Sequence, residues 1–173
     1  MKRVSYFLCL ILLIPGFVLN SCKTSENYFN TRKFIREYKK EPGFISLNLP
    51  KGIIRFFLDE GQPGSKELLK DLRRIRVLVS NSNSDAVLQY DKVYKELNSQ
   101  LAESQFNDLM IINESGTEIK FKIHVKREKV REILVMINSD EDFILLSLKG
   151  KIDLKEAAEI TRNFRIDGFK KLE

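Results

Sequence analysis

Alternating cations mark one segment of the sequence as a candidate binding surface. Residues 117–126 read TEIKFKIHVK, in which apolar residues alternate with four polar ones: Lys120, Lys122, His124 and Lys126. Because successive side chains of a β-strand point to opposite faces, these four would share one face of a sheet. Alternate residues of a strand lie about 7 Å apart, which suits the repeating charges of an anionic polymer or lipid surface. The solvated face of an ordinary antiparallel sheet has the same pattern, and we regard that as the simpler interpretation.

The chain contains one histidine, His124, which limits the catalytic and metal chemistry that it can support. A Ser-His-Asp triad needs a histidine held between an acid and a nucleophile, and a transition-metal site needs several His or Cys ligands. The carboxylates of residues 139–142 could hold Ca²⁺, but they lack the alternating spacing of a calcium loop. The glycines of residues 57–70 lack the spacing of a phosphate-binding loop. We therefore predict no catalytic residue, no metal and no cofactor.

Two later segments are apolar at consecutive positions, over residues 133–137 and 143–146. If helices cover only one face of a sheet, the other face would expose four side chains: Leu134, Met136, Ile144 and Leu146. Such a surface would fit a protein partner. A further helix over this face, for example the N-terminal one, would bury the same side chains, and the sequence leaves both alternatives open.

The N-terminal residues have the pattern of a targeting segment. Two basic residues precede an apolar run over residues 6–14, which is shorter than the span of about 20 residues that crosses a membrane. Charge, a short apolar core and a small residue before the cleavage point together indicate a signal peptide. The tetrapeptide Leu19-Asn20-Ser21-Cys22 resembles the bacterial lipobox, which implies cleavage between Ser21 and Cys22 and acyl chains such as palmitate on Cys22.

This interpretation divides the chain into a signal peptide (1–21), a lipidated N-terminus with a short tether (22–25) and a single domain (26–173). Two or more acyl chains hold a protein firmly on a membrane. Lysine rather than aspartate follows Cys22, which favours the outer over the inner membrane. Loss of Lys2 and Arg3 with the signal lowers the net charge from +6 to +4, which is too small to indicate a nucleic-acid-binding protein.

The periodicity of the remaining sequence predicts the elements that would position these residues. Strands are predicted over 44–49, 75–79, 109–113, 117–126, 130–138 and 143–148, and the last four form an antiparallel meander. Helices begin near residues 26 and 84, and Asp153 with Glu156 forms a capping-box pattern for a last helix. The predicted fold class is α+β: a single domain with a mixed six-stranded sheet that ends in an antiparallel meander, and helices mostly on one face.

Four segments resemble an uncharacterised family of small Bacteroidota lipoproteins, a domain of unknown function numbered 4252. They are Glu41-Pro-Gly-Phe-Ile-Ser-Leu47, Leu72 with Ile75-Arg-Val-Leu78, Phe106-Asn-Asp-Leu-Met110 and Phe143-Ile-Leu-Leu-Ser-Leu-Lys-Gly-Lys-Ile-Asp-Leu154. The resemblance extends over most of the chain after Cys22. It implies lipidation, one compact domain and a helix at residues 51–58, where the residues alone fit either a strand or a helix. It implies no activity, cofactor or catalytic residue.

Three functions follow as hypotheses. The first is a non-enzymatic interaction module of the cell envelope that binds another envelope protein. The second is a binding protein for an anionic lipid or glycan, in which Lys120, Lys122 and Lys126 border a concave pocket. The third is an enzyme, which would need a pocket that joins His124 to carboxylates distant in sequence. The sequence favours the first.

Overall fold

Six strands form one open sheet in the order β1-β2-β6-β5-β4-β3. The computed structural model describes residues 28–56, 70–80, 87–114, 116–140 and 142–162, so the predictions for residues 1–27 and most of the 57–70 loop lie outside the described residues. The strands are β1 (Phe44–Leu49), β2 (Leu72–Ser80), β3 (Asn107–Glu114), β4 (Thr117–Lys126), β5 (Lys129–Asn138) and β6 (Phe143–Ile152). The helices are α1 (Thr31–Tyr38), a 3-10 helix (Lys51–Phe56), α2 (Val87–Ala102) and α3 (Leu154–Arg162).

The α+β class and the meander from β3 to β6 are confirmed, but every neighbouring pair of strands is antiparallel. The predicted mixed sheet would need a parallel pair. After β2 the chain passes through α2 and returns in β3, which runs in the same direction as β2. These two strands do not pair, because β3 lies at the far edge of the sheet.

Two apolar clusters pack on the two faces of the sheet. On one face, which we call the helix face, strand residues including Leu78, Leu134 and Met136 pack against α1 and α2. On the opposite face, residues such as Phe121 and Leu148 pack with the 3-10 helix and α3. α1 and α2 thus share one face, whereas α3 lies on the other.

The predicted exposed surface of Leu134, Met136, Ile144 and Leu146 is wrong. Cross-strand pairing places Met136 opposite Leu145 and Val135 opposite Leu146. Since partners in an antiparallel pair lie on the same face, Leu134 and Met136 belong to the helix face, whereas Ile144 and Leu146 belong to the opposite face. Leu134, Met136 and Leu146 are each 0% exposed. Covering elements on both faces, the second of the two sequence alternatives, explain the consecutive apolar residues.

The helices begin where local hydrogen bonds satisfy their first backbone donors. Asn30 caps α1, where its side-chain oxygen accepts a hydrogen bond from the backbone N–H of Lys33 at 3.1 Å, so this helix starts later than predicted. The capping box before α3 is confirmed, since the Glu156 carboxylate accepts a hydrogen bond from the Asp153 backbone N–H at 3.3 Å. Such caps satisfy groups that the helix itself leaves unpaired.

The register of the sheet shifts near one end. In β2 the shift lies between Leu72 and Arg74: Leu72 pairs with Gly150, whereas Arg74 pairs with Lys149. The extra residue lets Leu72 join the buried cluster of the opposite face, while Arg74 lies on the helix face with its partner. Gly150 is required here, because an added Cβ would lie 2.4 Å from the Asp71 carbonyl oxygen.

Candidate functional site

The predicted cationic face of β4 lies on the helix face of the sheet. Lys120 pairs with Met136 and Lys122 with Leu134, while His124 pairs with Glu132. Because Leu134 and Met136 contact the helices, the lysines lie beside α2 rather than on a flat solvated surface. Lys126 is exposed at the end of the strand, beyond a register shift. The structure therefore brings Lys120 and Lys122 together but not Lys126.

Each of these two lysines is paired with an acid. The Lys120 ammonium lies 2.9 Å from the Glu118 carboxylate and 5.3 Å from the centre of the Tyr94 ring. The Lys122 ammonium lies 2.7 Å from the Asp108 carboxylate, and Lys122 is only 7% exposed. A register shift in β3 between Asp108 and Met110 accompanies the pairing of Asp108 with Lys122. The local charge of the two lysines is thus compensated within the protein.

A groove runs between the C-terminal half of α2 and the edge strand β3. Its volume is about 520 Å³, and Lys120 and Lys122 form its floor. The remaining lining residues are Asn98, Leu101, Ala102, Phe106, Asn107, Asp108 and Ile111. Ile111 is 48% exposed, so the groove combines an accessible apolar side chain with amides and compensated charges. Such a mixture is typical of a site that binds through shape and hydrogen bonds.

His124 is held by aromatic rings. Its ring lies 6.2 Å from that of Tyr28 and 5.7 Å from that of Phe106, measured between centroids. Burial lowers the pKa of His124 below its usual value, whereas the nearby charge of Glu132 raises it and those of Lys126 and Lys149 lower it. This environment keeps the imidazole neutral near pH 7 and gives His124 a packing role.

A buried carboxylate that the sequence analysis missed lies beside His124. Glu132 is 4% exposed, and its two oxygens contact the Ser147 hydroxyl at 2.7 Å and the Lys149 ammonium at 3.0 Å. Glu132 lies in β5, whereas Ser147 and Lys149 lie in β6, so no short sequence spacing links the acid to its partners. Glu132 directly precedes the apolar residues 133–137 and is the single acid of β5, and an acid in such a strand is the signal that points to a buried pair.

Three acids meet at the start of α3. Oxygens of Asp71, Asp153 and Glu156 lie within 4.8 Å of one another, the only such group of three metal-ligating side chains within the described ranges. Asp153 also pairs with Lys129 at 2.5 Å, and burial raises the pKa of Glu156. The capping of α3 and the Lys129 pair account for the position of these acids.

The acidic turn is held by hydrogen bonds between Ser139 and Asp142. In the acidic turn, the Ser139 hydroxyl accepts a hydrogen bond from the Asp142 backbone N–H at 3.0 Å, so the turn is closed by its own groups. Ser21 and Cys22 lie outside the described residues. Among the described helices, none has the length and apolar character needed to cross a membrane.

The fold and the groove define a small α+β domain with an open antiparallel sheet. The sequence profile of a domain of unknown function, DUF4252, matches residues 38–160. The chain therefore belongs to the DUF4252 family, as the sequence resemblance implied. No curated protein matches the chain.

Proposed function

We propose that this DUF4252 domain is a non-enzymatic interaction module of the cell envelope, anchored through lipid on Cys22 at the outer rather than the inner membrane, on the basis of Lys23. The observation that supports an interaction role best is the groove between α2 and β3. It lies at an edge of the sheet, where β3 has no outer neighbour among the described strands.

The chemistry of the groove favours a segment of a protein partner. Ile111 offers apolar contact, the exposed Asn107 offers an amide donor and acceptor, and an edge strand offers backbone hydrogen bonds to an extended peptide. Aromatic and aliphatic anchors that fill such grooves supply most of the binding energy in protein interfaces. We therefore assign the partner's contact to Ile111 and the nearby Asn107.

The alternative is a binding protein for an anionic lipid or glycan through Lys120, Lys122 and Lys126. Lys120 and Lys122 do border the groove, which favours this alternative over a flat surface. Their pairing with Glu118 and Asp108 weakens it, because a polyanion would have to displace both carboxylates.

Site-specific photocrosslinking in cells tests the proposal. A benzophenone amino acid at position 111 should give one reproducible adduct with an envelope protein, identified by mass spectrometry. The matched control is position 45, because Ile45 is 49% exposed and Ile111 48% exposed, and Ile45 lies on the other edge strand. Absence of an adduct at 111, or equal adducts at both positions, would contradict the proposed groove.

The anchor is tested separately. The mass of the N-terminal peptide should show acyl chains on Cys22, and Cys22→Ala should abolish both the acyl chains and the crosslink at position 111. A crosslink that persists in Cys22→Ala would show that membrane attachment is not needed for the interaction.

A further inference from the structure

Several cations meet on the helix face near the register shift of β2. Arg74 pairs with Lys149, and Arg76 pairs with Ser147, so both arginines extend from the helix face beside the buried Glu132. Arg32 in the first turn of α1 joins them from the covering helix, since its charge acts on Arg76. We call Arg32, Arg74, Arg76 and Lys149 the arginine cluster.

The arginine cluster carries uncompensated charge. Lys149 binds the Glu132 carboxylate, and the charge of Glu132 also acts on Arg76, so four cations and one carboxylate give a net charge of 4 − 1 = +3. Lys149 already pairs with that carboxylate, and none of the three arginines has a salt bridge to any residue within the described part of the chain. Burial lowers the pKa of Arg76 and the charges of Arg74 and Arg32 lower it further, as expected for like charges held together.

The cluster also lies close to the start of the domain. Tyr28 contacts His124, His124 pairs with Glu132, and Glu132 binds Lys149. Neighbouring strands are about 4.8 Å apart, so β4 to β2 covers about 14 Å. The six residue steps from Cys22 to Tyr28 span at most about 20 Å. A lipid on Cys22 would therefore keep the cluster within reach of the membrane surface.

We propose that the arginine cluster binds the phosphate group of an anionic phospholipid in the membrane that holds the Cys22 anchor. This inference rests on the lipid anchor of the proposed function. Guanidinium groups present paired donors that match phosphate oxygens, and basic residues beside an anchor are attracted to anionic lipid surfaces. Binding of a phosphate would supply the negative charge that the cluster lacks, and it would orient the groove at β3 relative to the membrane.

Arginine labelling on vesicles tests this inference. The lipidated full-length product is reconstituted in vesicles of phosphatidylcholine, or of phosphatidylcholine mixed with phosphatidylglycerol, and treated with phenylglyoxal. Modification of Arg32, Arg74 and Arg76 is measured by mass spectrometry. We expect phosphatidylglycerol to slow modification at least about fivefold, the effect of one cation at an anionic surface. Equal modification on both vesicles would overturn the proposal.

Two variants with the same loss of charge provide the control. Arg74→Gln/Arg76→Gln removes two cations of the cluster, and Lys120→Gln/Lys122→Gln removes two paired cations on the same sheet face. Protection of Arg32 by phosphatidylglycerol should disappear in the first variant and persist in the second. Loss of protection in both would mean that net charge alone attracts the surface, which contradicts a specific cluster.

Two further readouts distinguish lipid phosphate from soluble phosphate, and failure of the lipid anchor from failure of the arginine cluster. Inorganic phosphate added to phosphatidylcholine vesicles should give little protection; protection equal to that by phosphatidylglycerol would assign the cluster to a soluble phosphate and overturn the lipid assignment. The mass of the N-terminal peptide reports acylation of Cys22 in the same sample. A chain without acyl chains would refute the anchor of the proposed function, whereas an acylated chain without protection would refute the arginine cluster alone.

Discussion

The lysines of β4 and the arginine cluster lie on the same face of the same sheet, yet only the lysines are each paired with a carboxylate. Lys120 and Lys122 each contact a carboxylate at less than 3.0 Å. Arg74 and Arg76 have no salt bridge within the described residues, and Lys149 binds the nearby Glu132 carboxylate. Paired charges stabilise the fold in which they sit. Charges held together without partners reduce stability and attract an external anion. Whether a cation is paired with a carboxylate therefore indicates more about its function than the sheet face on which it lies.

The largest effect is expected from Glu132→Ala. This change leaves Lys149 without its partner and the buried Ser147 hydroxyl without its acceptor. It also removes the carboxylate that lies beside the arginine cluster. Loss of one partner of a buried pair is strongly destabilising; because Lys149 is 30% exposed, we expect the free energy of unfolding to fall by about 2 kcal/mol. Urea denaturation measures it. Glu118→Ala is the control, and an equal loss in both variants would refute a special role for Glu132.

A smaller loss is expected from Asp108→Ala on the lysine side. The Lys122 side chain is 9% exposed and would lose the carboxylate at 2.7 Å, so stability should fall by about 1 kcal/mol. Thermal unfolding checks this value. Lys129→Ala removes an ion pair whose side chains are 42% and 51% exposed and should leave the melting temperature unchanged. A larger shift there than in Asp108→Ala would contradict our account of the groove floor.

Arg74→Gln should increase the stability of the fold, in contrast to the two preceding substitutions. Since Arg74 and Arg76 repel each other, removal of one charge should raise the free energy of unfolding by about 0.3 kcal/mol, the scale of one like-charge pair at a surface. Salt screens such repulsion, so added salt should stabilise the original chain more than the variant. Destabilisation by Arg74→Gln at low salt would show that Arg74 has a compensating partner.

The last prediction concerns the titration of His124. Because burial lowers its pKa, the midpoint should lie below 6.5, and Glu132→Gln should lower it further by removing a favourable negative charge. The unfolded chain then binds a proton more readily than the folded one, so stability is complete above pH 6.5 and decreases as the pH falls below it. With one histidine in the chain, a single imidazole NMR resonance reports the midpoint. A midpoint above 6.5 would contradict the buried position.

The periodic parts of the fold could be predicted from the sequence. Alternation in TEIKFKIHVK gave the shared face of Lys120, Lys122 and His124, and Asp153 with Glu156 gave the cap of α3. Alternation does not show which residues cover a face, so the consecutive apolar residues around Met136 led to an exposed surface that is in fact buried.

The arginine cluster could not be predicted, for a related reason. Its members come from α1, β2 and β6, and they meet only because β6 pairs with β2 across the whole meander. The register shift at Arg73 also breaks the simple alternation that would otherwise place Leu72 and Arg74 on one face. Neither the strand order nor the shift leaves a spacing that can be read along the chain.

The same register shift determines where β2 tolerates a change of length. Arg73 is the extra residue between the Leu72–Gly150 and Arg74–Lys149 pairs. Its deletion would leave Leu72 and Arg74 on the faces they now occupy, as successive residues of a regular strand. Deletion of a residue further along, such as Val77, would turn one half of the strand over and exchange buried for exposed side chains. Of the three arginines of β2, Arg73, Arg74 and Arg76, the first is therefore the one that the chain can lose.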